Sequence, residues 1–176
     1  MKYEKHAVVT VLFTLAVLVL IGCAETPTGV THPDEEGVRV EYLKANQEMF
    51  SLAKGLGFSL LDIAVVEPDR ETTLEVFGGK VVLPAGAVNE PTLFVFYPGI
   101  EDGCLVFVVN IPGHPGHFTL QKPATLEVDR RFLYEKPDFA ENMETGERYH
   151  DIREGGLFYK CYGVEGFTKY RWAILD

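Results

Sequence analysis

Apolar positions change their spacing three times along the 176-residue chain, and each change marks a boundary. Ala7 to Leu20 is an apolar to weakly polar run behind Lys2 and Lys5. As a helix its roughly fourteen residues reach about 21 Å, short of the roughly 30 Å of a hydrocarbon core. The run therefore reads as a cleavable export signal over residues 1–22, not as a permanent transmembrane helix. Residues 24–37 hold almost no large apolar side chain and include Pro33-Asp34-Glu35-Glu36, the composition of a flexible tether. Residues 38–57 mix Val38, Val40, Leu43, Met49, Phe50 and Leu52 with charges and end in Lys54-Gly55-Leu56-Gly57. That predicts a short helix over about Tyr42 to Lys54, although Val38 to Leu43 alternates as a leading strand would.

From Phe58 onward the pattern turns to short β-rich runs about ten residues apart, which predicts an all-β, antiparallel sandwich over residues 58–176. The candidate strands are Leu61 to Val66, Thr72 to Phe77, Lys80 to Leu83, Thr92 to Tyr97 and Cys104 to Asn110. Further on come Phe118 to Gln121, Ala124 to Val128, Leu157 to Tyr162 and Thr168 to Leu175. Pro68-Asp69, Gly78-Gly79, Pro98-Gly99, Asp102-Gly103, Pro112-Gly113 and Gly155-Gly156 supply the turn chemistry between them. In the last strand Tyr170, Trp172 and Ile174 share one face and Lys169, Arg171 and Ala173 the other, so one side is core and one is wet. Thr92 to Tyr97 and Cys104 to Val109 are apolar on both faces, which predicts central strands covered twice. Residues 129–154 carry much charge and only scattered apolar residues such as Phe132, Tyr134 and Phe139, the pattern of a long surface excursion.

Leu20-Ile21-Gly22-Cys23 resembles the lipobox of bacterial lipoproteins, whose cysteine is diacylated and becomes the new N-terminus. The resemblance implies a lipid anchor on Cys23, a tether over residues 23–37 and a place in the bacterial cell envelope. Ala24 after the cysteine fits the outer membrane if the host has one. Removing Met1 to Gly22 takes away two lysines and one glutamate and moves the formal charge from −10 to −11. So acidic a chain is a poor match for nucleic acid or for electrostatic docking on anionic lipid. Membrane attachment then falls to acyl chains, each buried CH₂ contributing about 0.8 kcal/mol.

With Cys23 acylated, Cys104 and Cys161 remain. An oxidising envelope permits a disulfide, and closing a loop of about 58 residues would add about 4 kcal/mol. Two buried thiols are the alternative, since both lie in apolar runs. The C-x₂-C spacing of a zinc site is absent.

Gly78-Gly79-Lys80-Val81-Val82-Leu83-Pro84-Ala85-Gly86-Ala87-Val88 resembles the "GG-x-V-x-(L/I)-P-x-GA-(V/I/L)" signature of ZU5-like β-sandwich modules. Phe118-Thr119-Leu120-Gln121-Lys122-Pro123-Ala124-Thr125-Leu126 and Gly166-Phe167-Thr168-Lys169-Tyr170 are similar to two later segments of the same modules. The resemblance implies an immunoglobulin-like scaffold for protein interaction. Some such modules cleave themselves between Phe and Ser of a His-Phe-Ser sequence. Gly166 stands at the place of that histidine, so cleavage between Phe167 and Thr168 is not expected.

Candidates for chemistry are sparse. His114 and His117 flank Pro115-Gly116 in a turn, where neutral imidazoles could hold a metal with help from Glu101 or Asp102. His150-Asp151 suggests a hydrolase, yet no Gly-x-Ser-x-Gly accompanies it. No Walker loop or dinucleotide fingerprint occurs, and no cofactor is expected. Phe94, Phe96, Tyr97, Phe107, Tyr159, Tyr162, Tyr170 and Trp172 would stack on a sugar where exposed, or fill the core. The expectation is a non-enzymatic envelope lipoprotein that binds another protein or a cell-wall component. An extracytoplasmic hydrolase and a metal- or carbohydrate-binding lipoprotein are the alternatives.

Overall fold

The computed structural model describes residues 39–114 and 117–175; the expected export signal, the expected anchor Cys23 and the expected tether lie outside them. Two antiparallel sheets pack as a β-sandwich with one short helix. Strand β1 (Val40–Tyr42) leads into helix α1 (Gln47–Leu56), followed by β2 (Asp62–Val66), β3 (Thr72–Val76), β4 (Gly79–Leu83), β5 (Thr92–Glu101) and β6 (Cys104–Asn110). After these come β7 (Phe118–Asp129), β8 (Phe139–Asn142), β9 (Arg148–Tyr149), β10 (Ile152–Gly155), β11 (Phe158–Phe167) and β12 (Lys169–Leu175). The seven-stranded sheet runs β2-β5-β6-β12-β8-β9 with β1 also on β12, and the five-stranded sheet runs β10-β11-β7-β4-β3.

Both readings of residues 38–57 hold in part, because β1 pairs with the end of β12 before the helix begins. The helix starts five residues later than the apolar spacing predicts, where the Asn46 side chain accepts from the Met49 N–H at 3.4 Å. It ends at Gly57, whose φ of 72° closes the last turn. Phe50 meets Phe132 edge-on at 5.1 Å and pins the helix to the sandwich.

The core lies between the sheets. Phe94, Phe96, Phe107 and Trp172 from one layer and Leu74, Val81 and Leu126 from the other are fully buried. Glycine is demanded by close approach at the β3–β4 turn. A side chain on Gly79 would overlap the Phe107 ring, and Gly78 has a φ of 101° with Phe132 directly over it.

Several expectations need correction. Phe118–Asp129 is one strand, not two, although Lys122-Pro123 interrupts its pattern. The partner β11 shifts register between Cys161 and Val164 and again before Gly166, so no regular ladder has to run past the proline. Pro98-Gly99 lies within β5 and not in a turn. Strand β2 pairs with β5 only as far as Phe96, so β5 is an edge from there on, where proline is tolerated. The reversal falls at Asp102-Gly103, both with positive φ.

The excursion at 129–154 is largely built into the sandwich. β8 inserts between β12 and β9, and all four of its residues are buried, Glu141 and Asn142 included. The expected Cys104–Cys161 bridge is absent, and both residues are buried free thiols. Cys104 opens β6 in one sheet beside the Tyr42 carbonyl, at 3.7 Å, whereas Cys161 belongs to the other sheet and donates to the Tyr149 carbonyl at 3.6 Å. Burial pushes the Cys161 thiol up to about 12.

Candidate binding face and cavity

Strand parity on β2, β5 and β6 sets which side chains leave the core. Phe94, Phe96, Phe107 and Val109 point inward, so Ile63, Val65, Leu93, Val95, Tyr97, Val108 and Asn110 share the outer face. Cross-strand register stacks them in rows: Val65 opposite Leu93, Ile63 opposite Val95, and Tyr97 opposite Val108, which in turn faces Lys169 of β12. Only β6 matches the expectation of a strand covered twice. The outer face of β2 and β5 stays open, with Ile63 54% exposed, Val65 46%, Leu93 41% and Tyr97 37%.

At the border of this face lies a cavity of about 530 Å³. Tyr97, Val108, Phe167 and Met143 give it an apolar lining, while Asn110, His114, Glu144, Thr168 and Lys169 supply polar groups. That size and mixture are typical of ligand clefts. One wall is the turn after β8, and Asn142 builds it. Its Oδ1 accepts from the Glu144 and Thr145 N–H groups at 3.0 and 3.3 Å and from the Thr168 hydroxyl at 3.1 Å. Its Nδ2 lies 3.4 Å from His117 Nδ1. On the far side Lys169 pairs with Glu101 at 2.5 Å, which neutralises the lysine at the cavity rim.

The two candidate histidines part company. His114 ends a turn shaped by Pro112 and Gly113, its N–H bonded to the Ile111 carbonyl at 3.0 Å and its ring 5.4 Å from Phe118. It lines both the large cavity and a second one of about 180 Å³ beside Ala87 to Glu90. His117 instead covers Gly166, where any side chain would overlap its ring. Glu101 is taken by Lys169, Asp102 sits in the hairpin turn, and among the described residues no three metal-ligating side chains converge. Although an imidazole thus stands over Gly166, the Thr168 hydroxyl donates to Asn142. His150 tilts against Phe139 at 5.2 Å, while Asp151 is held by Arg153 through two 2.7 Å bonds. Of the eight aromatics named as a stacking platform, Phe94, Phe96, Phe107, Tyr170 and Trp172 are fully buried. Burial pushes the Tyr170 hydroxyl far above its ordinary pKa, and the Tyr149 charge and hydrogen bond push the same way.

Asn142 is the residue that pattern reading missed. Its signal was present in Asn142-Met143-Glu144-Thr145-Gly146, an Asx residue followed by turn formers, with Gly146 at a φ of 74°.

The second polar feature of this sheet is a cluster on its other half. Glu141 Oε1 accepts from Arg171 Nε at 3.0 Å and Nη2 at 2.5 Å, and Oε2 accepts from Arg148 Nε at 3.0 Å. The Tyr42 hydroxyl donates to Glu141 at 3.0 Å, and the Arg171 guanidinium lies over the Tyr42 ring at 3.4 Å. Burial alone would raise the Glu141 pKa. The hydrogen bonds from Arg171 and Arg148, the Arg171 charge and the Tyr42 hydroxyl outweigh it and hold the carboxyl below its ordinary value.

Fold and face together define an antiparallel β-sandwich with an open apolar surface. Compared with known proteins, the chain matches no protein-family model, no curated protein and no solved structure.

Proposed function

We propose that the chain is a lipid-anchored envelope lipoprotein whose sandwich, of the ZU5-like and immunoglobulin-like kind, is a non-enzymatic binding module for a protein or cell-wall component. The anchor rests on the Leu20 to Cys23 lipobox and the tether composition that follows it. The binding role rests on one observation, the open apolar face of β2 and β5 running into the 530 Å³ cavity through Tyr97 and Val108. A contiguous apolar surface of this kind is costly to leave in water and marks interaction sites. No observation favours the hydrolase, since Asp151 is committed to Arg153 and His150 to Phe139.

Two measurements test the two halves. Metabolic labelling with an alkyne fatty acid should mark the wild-type protein and spare Cys23→Ala; an acyl-free wild-type N-terminus overturns the anchor. Chemical crosslinking of intact envelopes should yield adducts that fall at least tenfold in an Ile63→Asp, Leu93→Asp double variant. Equal yields from the two proteins would remove the binding face.

A further inference from the structure

If the β2–β5 face is where the module binds, charge narrows what it binds. Glu67 directly follows the buried Val66 that ends β2, and Glu90 stands two residues before β5, so carboxylates stand at one end of the apolar rows. The β2–β3 turn adds Asp69 and Glu71 against the single Arg70. At the other border Glu144 is exposed on the cavity wall. Among the described residues none of Glu67, Glu90 and Glu144 has a cation within 4 Å, while the one lysine on the cavity rim is neutralised by Glu101. Among the described residues the face is therefore an aliphatic strip bordered by carboxylates that stand outside any ion pair.

Other occupants fit less well. A second copy would bring the same carboxylates against these, and an anionic lipid surface would be repelled in the same way. Pairing through the free edge of β2 is discouraged as well. Asp62 points inward on that edge, and its carboxylate accepts from the Ile63 and Glu75 N–H groups at 2.8 and 2.7 Å, a guard against edge-to-edge addition.

We infer that the β2–β5 face docks a partner protein through a segment whose apolar side chains are bordered by lysine or arginine. The apolar rows supply the contact, and the acidic border selects the partner and orients it. The inference rests on the binding-module reading above and specifies its partner.

A photoreactive benzophenone amino acid in place of Leu93, in the full chain within its native envelope, tests it directly. The crosslinked peptide should come from another protein and carry Lys or Arg within a few residues of the attachment point. Raising salt to about 1 M shortens the screening length from about 8 to about 3 Å and should lower the yield severalfold, as should Glu144→Lys. The same probe in place of Thr73, exposed on the other sheet, should give no such adduct. A second copy, a segment without cations, or a yield indifferent to both salt and Glu144→Lys overturns this inference and leaves the binding module standing. A lipid adduct, or no adduct at position 93, overturns both.

Discussion

The outer face of the seven-stranded sheet has two halves built on opposite rules. On β2 and β5 it presents Ile63, Val65, Leu93 and Tyr97, apolar and partly in water. On β12, β8 and β9 it presents a cross-strand row of Arg171, Glu141 and Arg148, charged and largely covered. Hydropathy ranks these halves in the reverse of their burial. The charged half is closed because its groups satisfy one another: two guanidinium groups and the Tyr42 hydroxyl share one carboxylate, and Arg148 also lies over Phe139 at 5.0 Å. The apolar half stays open because no element of the described chain crosses it. A face can thus be closed by polar satisfaction among its own groups, whereas an apolar face is closed only by a layer packed over it.

The sharpest way to break this contrast is to unbalance the charged half. Glu141→Ala leaves two partly buried arginines without their counter-charge and should cost about 3–5 kcal/mol in urea denaturation followed by Trp172 fluorescence. A loss below about 1 kcal/mol would mean the cluster is ornamental. The same carboxylate sets an acid limb. Its folded pKa lies below the ordinary 4.5, so its contribution is complete above about pH 4.5 and is lost as pH falls through the lower folded value. The stability gap between wild type and Glu141→Gln should therefore narrow below about pH 4.5, and a gap that widens there would reverse the sign. Tyr42→Phe keeps the ring under Arg171 and removes only its hydroxyl, for about 1 kcal/mol.

On the open half, Ile63→Thr and Leu93→Thr should each change stability by less than about 0.5 kcal/mol, since neither residue closes a core. Losses of 2 kcal/mol or more would show that the face is covered within the chain itself. The smallest expected effect is none: a reductant should leave the unfolding midpoint unchanged, because Cys104 and Cys161 are free thiols. A bridge closing that loop would be worth about 4 kcal/mol and would be seen at once.

Much of the sandwich was legible in the sequence. The strand runs from Leu61 to Asn110 and the last strand correspond to β2 to β6 and β12 with small shifts at their ends, except that β5 runs on through Pro98-Gly99 to Glu101. Period-two alternation and turn residues are local properties, and they survive in any context. The candidate site was legible only in pieces. His114 and Tyr97 stand out in the sequence and do line the cavity; Lys169 reaches it at the start of β12 opposite Val108, whereas Met143 and Glu144 join only through the path of β8, whose sequence reads as a surface excursion. The error has one cause. Phe139-Ala140-Glu141-Asn142 has too few apolar residues to announce a buried strand, and its burial depends on Arg148, Arg171 and Tyr42, which lie up to 99 residues away.

The sequence by itself determined that the chain is an antiparallel β-protein. Most of its turns and strand positions and the expectation of an anchored amino terminus follow from short-range pattern, because backbone preference and side-chain parity act over a few residues. The tertiary structure alone decided which faces are closed. It placed Glu141 under two arginines, kept Cys104 and Cys161 in separate sheets, and left Ile63 and Leu93 uncovered. Burial is a property of what packs above a residue, and that cover comes from segments distant in sequence, present over Glu141 and, among the described residues, absent over Ile63 and Leu93.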